Sequence, residues 1–238
     1  MSKLSKQEQA AIEAVARHSS ATWKKAAGES PGATLTIAGK RIAVEVVTAI
    51  RQRIAERGGL AKPRLRFDRV ALRFVGGLQA ALSASVPDGA AVVLTVTAPI
   101  RLAAKTAAAL ESNIRDGLAR RPARVELKDA ICGNQIRVRL VTGVSGRMPK
   151  VIGFVHNPDC DGDVLLAVTQ SLLQHIGAAA DKRPPKKFPG ERWLVIANAN
   201  GLAQIETYRQ VHSQLNVSAG FRKILMVLPG GRVEALTG

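Results

Sequence analysis

Apolar positions along this chain recur in two periods, one helical and one alternating, and the two periods take turns through most of its length. Near the start, Ala11, Ile12, Val15 and Ala16 form a stripe at helical spacing. This predicts an amphipathic helix over residues 5–27, with Trp23 closing the stripe. Gly28 and Ser30-Pro31-Gly32 then break the chain. Thr34-Leu35-Thr36-Ile37 alternates, Ala38-Gly39-Lys40 turns, and residues 41–47 alternate again, which is the pattern of a β-hairpin. On its second strand Ile42, Val44 and Val46 share one face, while Ala43, Glu45 and Val47 share the other. Glu45 is a lone carboxylate in that apolar stretch, and burying an unpartnered charge is costly.

Beyond the hairpin the pattern predicts a short helix over 49–57, a helix over 70–85, a strand over 91–97 and a helix over 102–120. Strands follow over 125–128, 135–141 and 151–155, the last after a loop marked by Gly143, Gly146 and Pro149. The final third reads as a helix over 163–180, a Lys/Pro linker over 182–189, a strand over 193–197 and a helix over 202–215. A last hairpin, 223–228 and 232–236, turns at Pro229-Gly230-Gly231. Strands alternating with helices make this an α/β chain with a sheet covered on both faces.

Composition sharpens this in two ways. Hydrophobic residues are 46% but aromatics only 3%, so the core must be aliphatic. The apolar runs are far too short to span a bilayer and the N-terminal stretch has no secretory pattern, which points to the cytoplasm and away from a membrane. Cys132 and Cys160 are too few for a disulfide framework or a zinc site. The formal net charge is +17, distributed as +8 over residues 1–66, +7 over 67–150 and only +2 over 151–238. An excess concentrated in two thirds of the chain suggests a positive face turned toward a polyanion. Candidate phosphate contacts are Lys24, Lys25, Lys40, Arg41, Arg51, Arg53, Lys182, Arg183, Lys186 and Lys187.

The order helix, break, Pro31 with a short residue after it, hairpin, and Ile42-Ala43-Val44-Glu45-Val46 resembles the start of the PD-(D/E)XK, or restriction-endonuclease-like, superfamily. The last third resembles that superfamily's closing half: a helix running into lysines, the strand Arg192-Trp193-Leu194-Val195-Ile196, then a helix and a terminal strand. The likeness covers about residues 5–50 and 160–238. It implies a restriction-endonuclease-like mixed central sheet flanked by helices, with a nuclease-like core of 1–50 and 151–238 and an inserted basic α/β segment of 51–150.

Active members hold Mg²⁺ between two carboxylates and place a Lys beside them. The metal then polarises phosphate and acidifies its bound water. By resemblance Glu45 stands at the second acid, but Gly32 falls where the first Asp would follow Pro31, and Val47 falls where the Lys would be. Two of three chemical positions are thus empty, which argues against ordinary catalysis and for no cofactor. Glu13 or Glu8 from the first helix would be a further acid, and Gln170, Gln174 or Lys182 a replacement for the Lys.

Other constellations carry less. Asp159, Asp161 and Asp163 alternate as in a calcium loop, but Gln170 stands where the closing Glu would be, so Asp161 or Asp163 reads as a helix cap. The four histidines form no ligand pair, and Ser145 lacks the full nucleophile-elbow pattern. Three readings stand together: a catalytically degenerate nuclease-like protein that binds nucleic acid non-specifically through phosphate, an Mg²⁺-dependent nuclease with migrated ligands, and a protein-interaction scaffold whose charge is incidental.

Overall fold

The computed structural model describes residues 4–26, 32–48, 64–120, 125–182, 190–198, 204–215 and 219–236. Helix α1 (Lys6–His18) opens on a reciprocal cap, in which Ser5 Oγ accepts the Glu8 N–H and Glu8 Oε2 accepts the Ser5 N–H. It stops well short of residue 27. Ser20 turns into the left-handed region at φ +49°, and Thr22-Trp23 enter a strand instead, β1 (Thr22–Lys25). Apolar spacing alone had placed Trp23 on the helix, but β-branched and aromatic side chains suit a pleated surface better.

β2 (Ala33–Ile37) and β3 (Lys40–Thr48) form the expected hairpin around Ala38 and Gly39, both at positive φ. The predicted helix over 49–57 and all of the 182–189 linker except Lys182 lie outside the described residues. Helices α2 (Arg69–Leu82) and α3 (Ala103–Arg120) flank strand β4 (Ala90–Thr97) in sequence. They are followed by β5 (Glu126–Ile131), β6 (Asn134–Thr142) and β7 (Val151–His156). Last come α4 (Gly162–Asp181), β8 (Glu191–Ala197), α5 (Ile205–Leu215), β9 (Lys223–Val227) and β10 (Val233–Ala235).

The strands form two mixed sheets, ordered β1-β2-β3-β8-β9-β10 and β5-β6-β4-β7. In the first, β3, β8 and β9 are parallel and the outer strands antiparallel; in the second only β4 and β7 are parallel. β7 therefore belongs by hydrogen bonding to the second sheet, beside β4.

Burial orders the layers. Helix α1 covers one face of the six-stranded sheet through Ile12 and Val15 against Val44, Val46, Trp193 and Val195. α4 and α5 fill the space between the sheets, against Leu194, Ile196 and Ile224 on one side and Ala91, Val93 and Phe154 on the other. α2 and α3 cover the far face of the second sheet. This explains why α4 is apolar almost all round, with Leu165, Val168, Leu172 and Ile176 fully buried. Gly153 lets α2 lie close on β7, since a Cβ there would stand 2.9 Å from Val75 Cγ1. No described helix is long and apolar enough to cross a membrane.

Candidate functional site

Glu45 lies on the β3 face turned toward α4, because its neighbours Val44 and Val46 pack on the α1 side. It is 1% exposed, so the carboxylate does not sit in an open cleft. Part of its compensation comes from far along the chain. α4 ends at its C-cap Lys182, whose Nζ stands 3.6 Å from Glu45 Oε2 while the lysine side chain stays 44% exposed. A buried acid held by a half-hydrated cation avoids the full desolvation of an isolated charge.

The other positions of the implied motif do not join it. Val47 shares the Glu45 face but packs on the apolar core between the sheets. A Cβ on Gly32 would point at Leu4 and Val46, toward α1, so an acid there would start on the wrong side of the sheet. Glu13 lies on α1, across the sheet from Glu45, and accepts a hydrogen bond from Gln9. Glu8 is used by the α1 cap, and Gln174 donates weakly to the Thr142 carbonyl. Of the residues weighed as a replacement lysine, Lys182 is the one that reaches Glu45. Among the described residues no three His, Cys, Asp or Glu side chains gather as a metal-binding group.

Strand alternation sorts the hairpin cations. Lys24 pairs with Thr34, Thr34 with Ala43, and Ala43 with Arg192, so these four form one cross-sheet row on the Glu45 face. Thr22, Thr36 and Arg41 form the next row on the same face. Among the described residues, helix α4 packs over β3 and β8 and Ala43 is buried, whereas Thr22, Lys24, Thr36 and Arg41 toward the sheet edge are exposed. Lys25 and Lys40, in contrast, fall on the α1 face, in register with Ala33 and Ile37. There Lys40 borders a cavity of about 1040 Å³ floored by Ile37, Ile42, Trp193 and Leu225, with Lys223 Nζ 4.7 Å above the Trp193 ring.

Arg192 was not singled out from sequence, although it directly precedes Trp193 in the strand that carries the resemblance. Its guanidinium lies 4.7 Å over Phe221, which orients it. Arg51, Arg53, Arg183, Lys186 and Lys187 lie outside the described residues.

The remaining sequence candidates have structural roles. Asp161 caps α4 by accepting the Asp163 N–H at 2.8 Å. Ser145 donates to Asp181 Oδ1 at 2.7 Å and holds no histidine. Comparison with protein-family models, with curated proteins and with solved structures finds no match to this chain.

Proposed function

We propose that this chain is a nuclease-like protein that holds nucleic acid through phosphate contacts and does not cleave it. The order α1, hairpin, α4, β8, α5, β9 around a mixed sheet supports the restriction-endonuclease-like reading drawn from the sequence. The observation that carries the binding proposal is the exposed corner of that sheet. Lys24 and Arg41 lie there in adjacent rows with threonine hydroxyls between them, and Arg192 ends the Lys24 row on β8, beyond the buried Ala43 and beside Lys182. Cations spaced along strands fit a phosphate backbone, and hydroxyls add donors with no base readout. Glu45, held by Lys182, is one carboxylate where metal-assisted cleavage needs at least two ligands.

Fluorescence anisotropy with labelled duplex DNA tests this. Binding is expected in the micromolar range at low salt, with log Kd rising against log salt at a slope of about 3 to 4 for some four phosphate contacts. Lys24→Glu with Arg41→Glu should weaken binding more than tenfold and lower the slope, whereas Lys25→Glu with Lys40→Glu on the opposite face should do much less. Equal loss from both pairs, or no binding at low salt, rejects this interface.

A further inference from the structure

Where α4 begins, the sheet face beneath it changes character. Along β4 the residues turned toward α4 run Ala91, Val93, Thr95, Thr97; the first two lie in the core and the last two border a cavity of about 430 Å³. Register sets Arg137 beside Thr95 and His156 beside Thr97, while Asp159, Cys160 and Asp161 close the side toward α4.

Two buried polar groups aim into this cavity. Thr95 is 1% exposed and His156 4%, and among the described residues neither the Thr95 hydroxyl nor His156 Nε2 has a hydrogen-bond partner. His156 Nδ1 stands 2.8 Å from the Asn157 carbonyl oxygen, which can only accept, so Nδ1 carries the proton and Nε2 offers a lone pair. Burial lowers the His156 pKa and keeps the ring neutral. Both groups converge with Arg137 on the first residue of α4. A Cβ on Gly162 would stand 2.7 Å from Thr95 Oγ1, 3.0 Å from Arg137 Nη1 and 3.2 Å from His156 Nε2. Neither atom is sealed in the core: the Thr95 hydroxyl and His156 Nε2 both open onto the cavity, and with Arg137 they face one space.

The surrounding charges narrow the ligand. Asp159 and Asp161 disfavour an anion, although Asp161 is partly neutralised by Arg137 at 2.9 Å. Arg137 and the start of a 20-residue helix disfavour a cation. The Cys160 thiol is pushed up to about 12, mainly by burial, so it stays protonated and is a poor metal ligand. A neutral group that both donates and accepts remains. One hydroxyl can donate to His156 Nε2 and accept from Arg137, and its neighbour can exchange hydrogen bonds with Thr95 and an aspartate. We propose that the cavity at the start of α4 binds a vicinal diol, the group shared by free sugars and the ribose of nucleosides. Its volume lies within the usual range for small-molecule sites.

The test is titration of the ¹⁵N-histidine-labelled full chain, with the His156 resonances assigned by loss in His156→Gln. D-Ribose and adenosine are expected to move the Nε2 signal saturably, with 2′-deoxyadenosine about tenfold weaker or more. Ribose binding identifies a free-sugar site, and adenosine binding without ribose binding a nucleoside site. Thr95→Val, of nearly the same shape, should weaken the active ligand by about tenfold with the thermal midpoint little changed. No Nε2 shift with either diol, or equal binding of the deoxy compound, overturns the proposal. The comparison of diol with deoxy compound is made on the wild-type chain and stands even where Thr95→Val fails to fold.

Discussion

A side chain's partner decides what its removal costs, and Glu45 and Lys182 show this as an asymmetric pair. Glu45 is buried and Lys182 is half in water. Glu45→Gln removes a desolvated charge and lets the lysine rehydrate, so urea unfolding should show a change within about 1 kcal/mol. Lys182→Met takes away the cation and leaves the carboxylate buried, and should cost more, about 2–3 kcal/mol. The reverse order would mean that Glu45 is the hub of a buried network. His175 makes a second case. Burial within α4 lowers its pKa below the ordinary 6.5, as it does for His156. The unfolded chain therefore takes up protons that the folded chain refuses. Stability is complete above about pH 6.5 and falls as the pH drops toward the folded-state values. The urea midpoint should decline between about pH 7 and pH 5.5, and His175→Met should flatten part of that decline. A midpoint that rises on acidification would contradict the burial argument. From sequence these histidines show only that they form no ligand pair; their positions against other elements are not visible there.

Among the elements, those with a clean period were legible and those built by distant contacts were not. Alternation in residues 34–47 located β2 and β3, and the helical stripes located α2 and α3 to within a few residues. β1 was missed because Trp23 happens to extend the α1 stripe by one turn, and a four-residue strand is too short to show its own period. Pairing was illegible for a different reason. Nothing local in Val151–His156 says that it lies beside β4 rather than beside β3, since parallel partners are chosen by tertiary packing. Helix α4 carries a hint, for an unbroken apolar circumference requires neighbours on every side. Leu172 on α4 is 1% exposed in the cluster that joins both sheets. Leu172→Ala should cost about 2–5 kcal/mol, and circular dichroism and tryptophan fluorescence should still report one coincident transition. Separate transitions would show that the sheets fold apart.

For the molecule as a whole, the +17 charge was readable from composition, but which cations act together was not. Neighbours in sequence such as Lys24 and Lys25 are divided between opposite faces, while Lys24 and Arg192, far apart in sequence, share one cross-sheet row over four strands. The candidate acid was equally half-legible. Glu45 stands out as a charge in an apolar strand, but its counterion waits far downstream at the end of α4. The purified chain is expected to leave plasmid DNA uncut with either Mg²⁺ or Mn²⁺, on agarose gels run over hours. Cleavage that disappears in Glu45→Ala would replace the binding proposal with a nuclease. Helix α4 also bears on how such a protein can change over time. A segment added to an older core can normally be trimmed, exchanged or passed to another gene, provided that its loss exposes little. Here the six-stranded and the four-stranded sheet share helices α4 and α5 as their common interior. Deleting either would strip apolar surface from the other, so the two are bound to be inherited together.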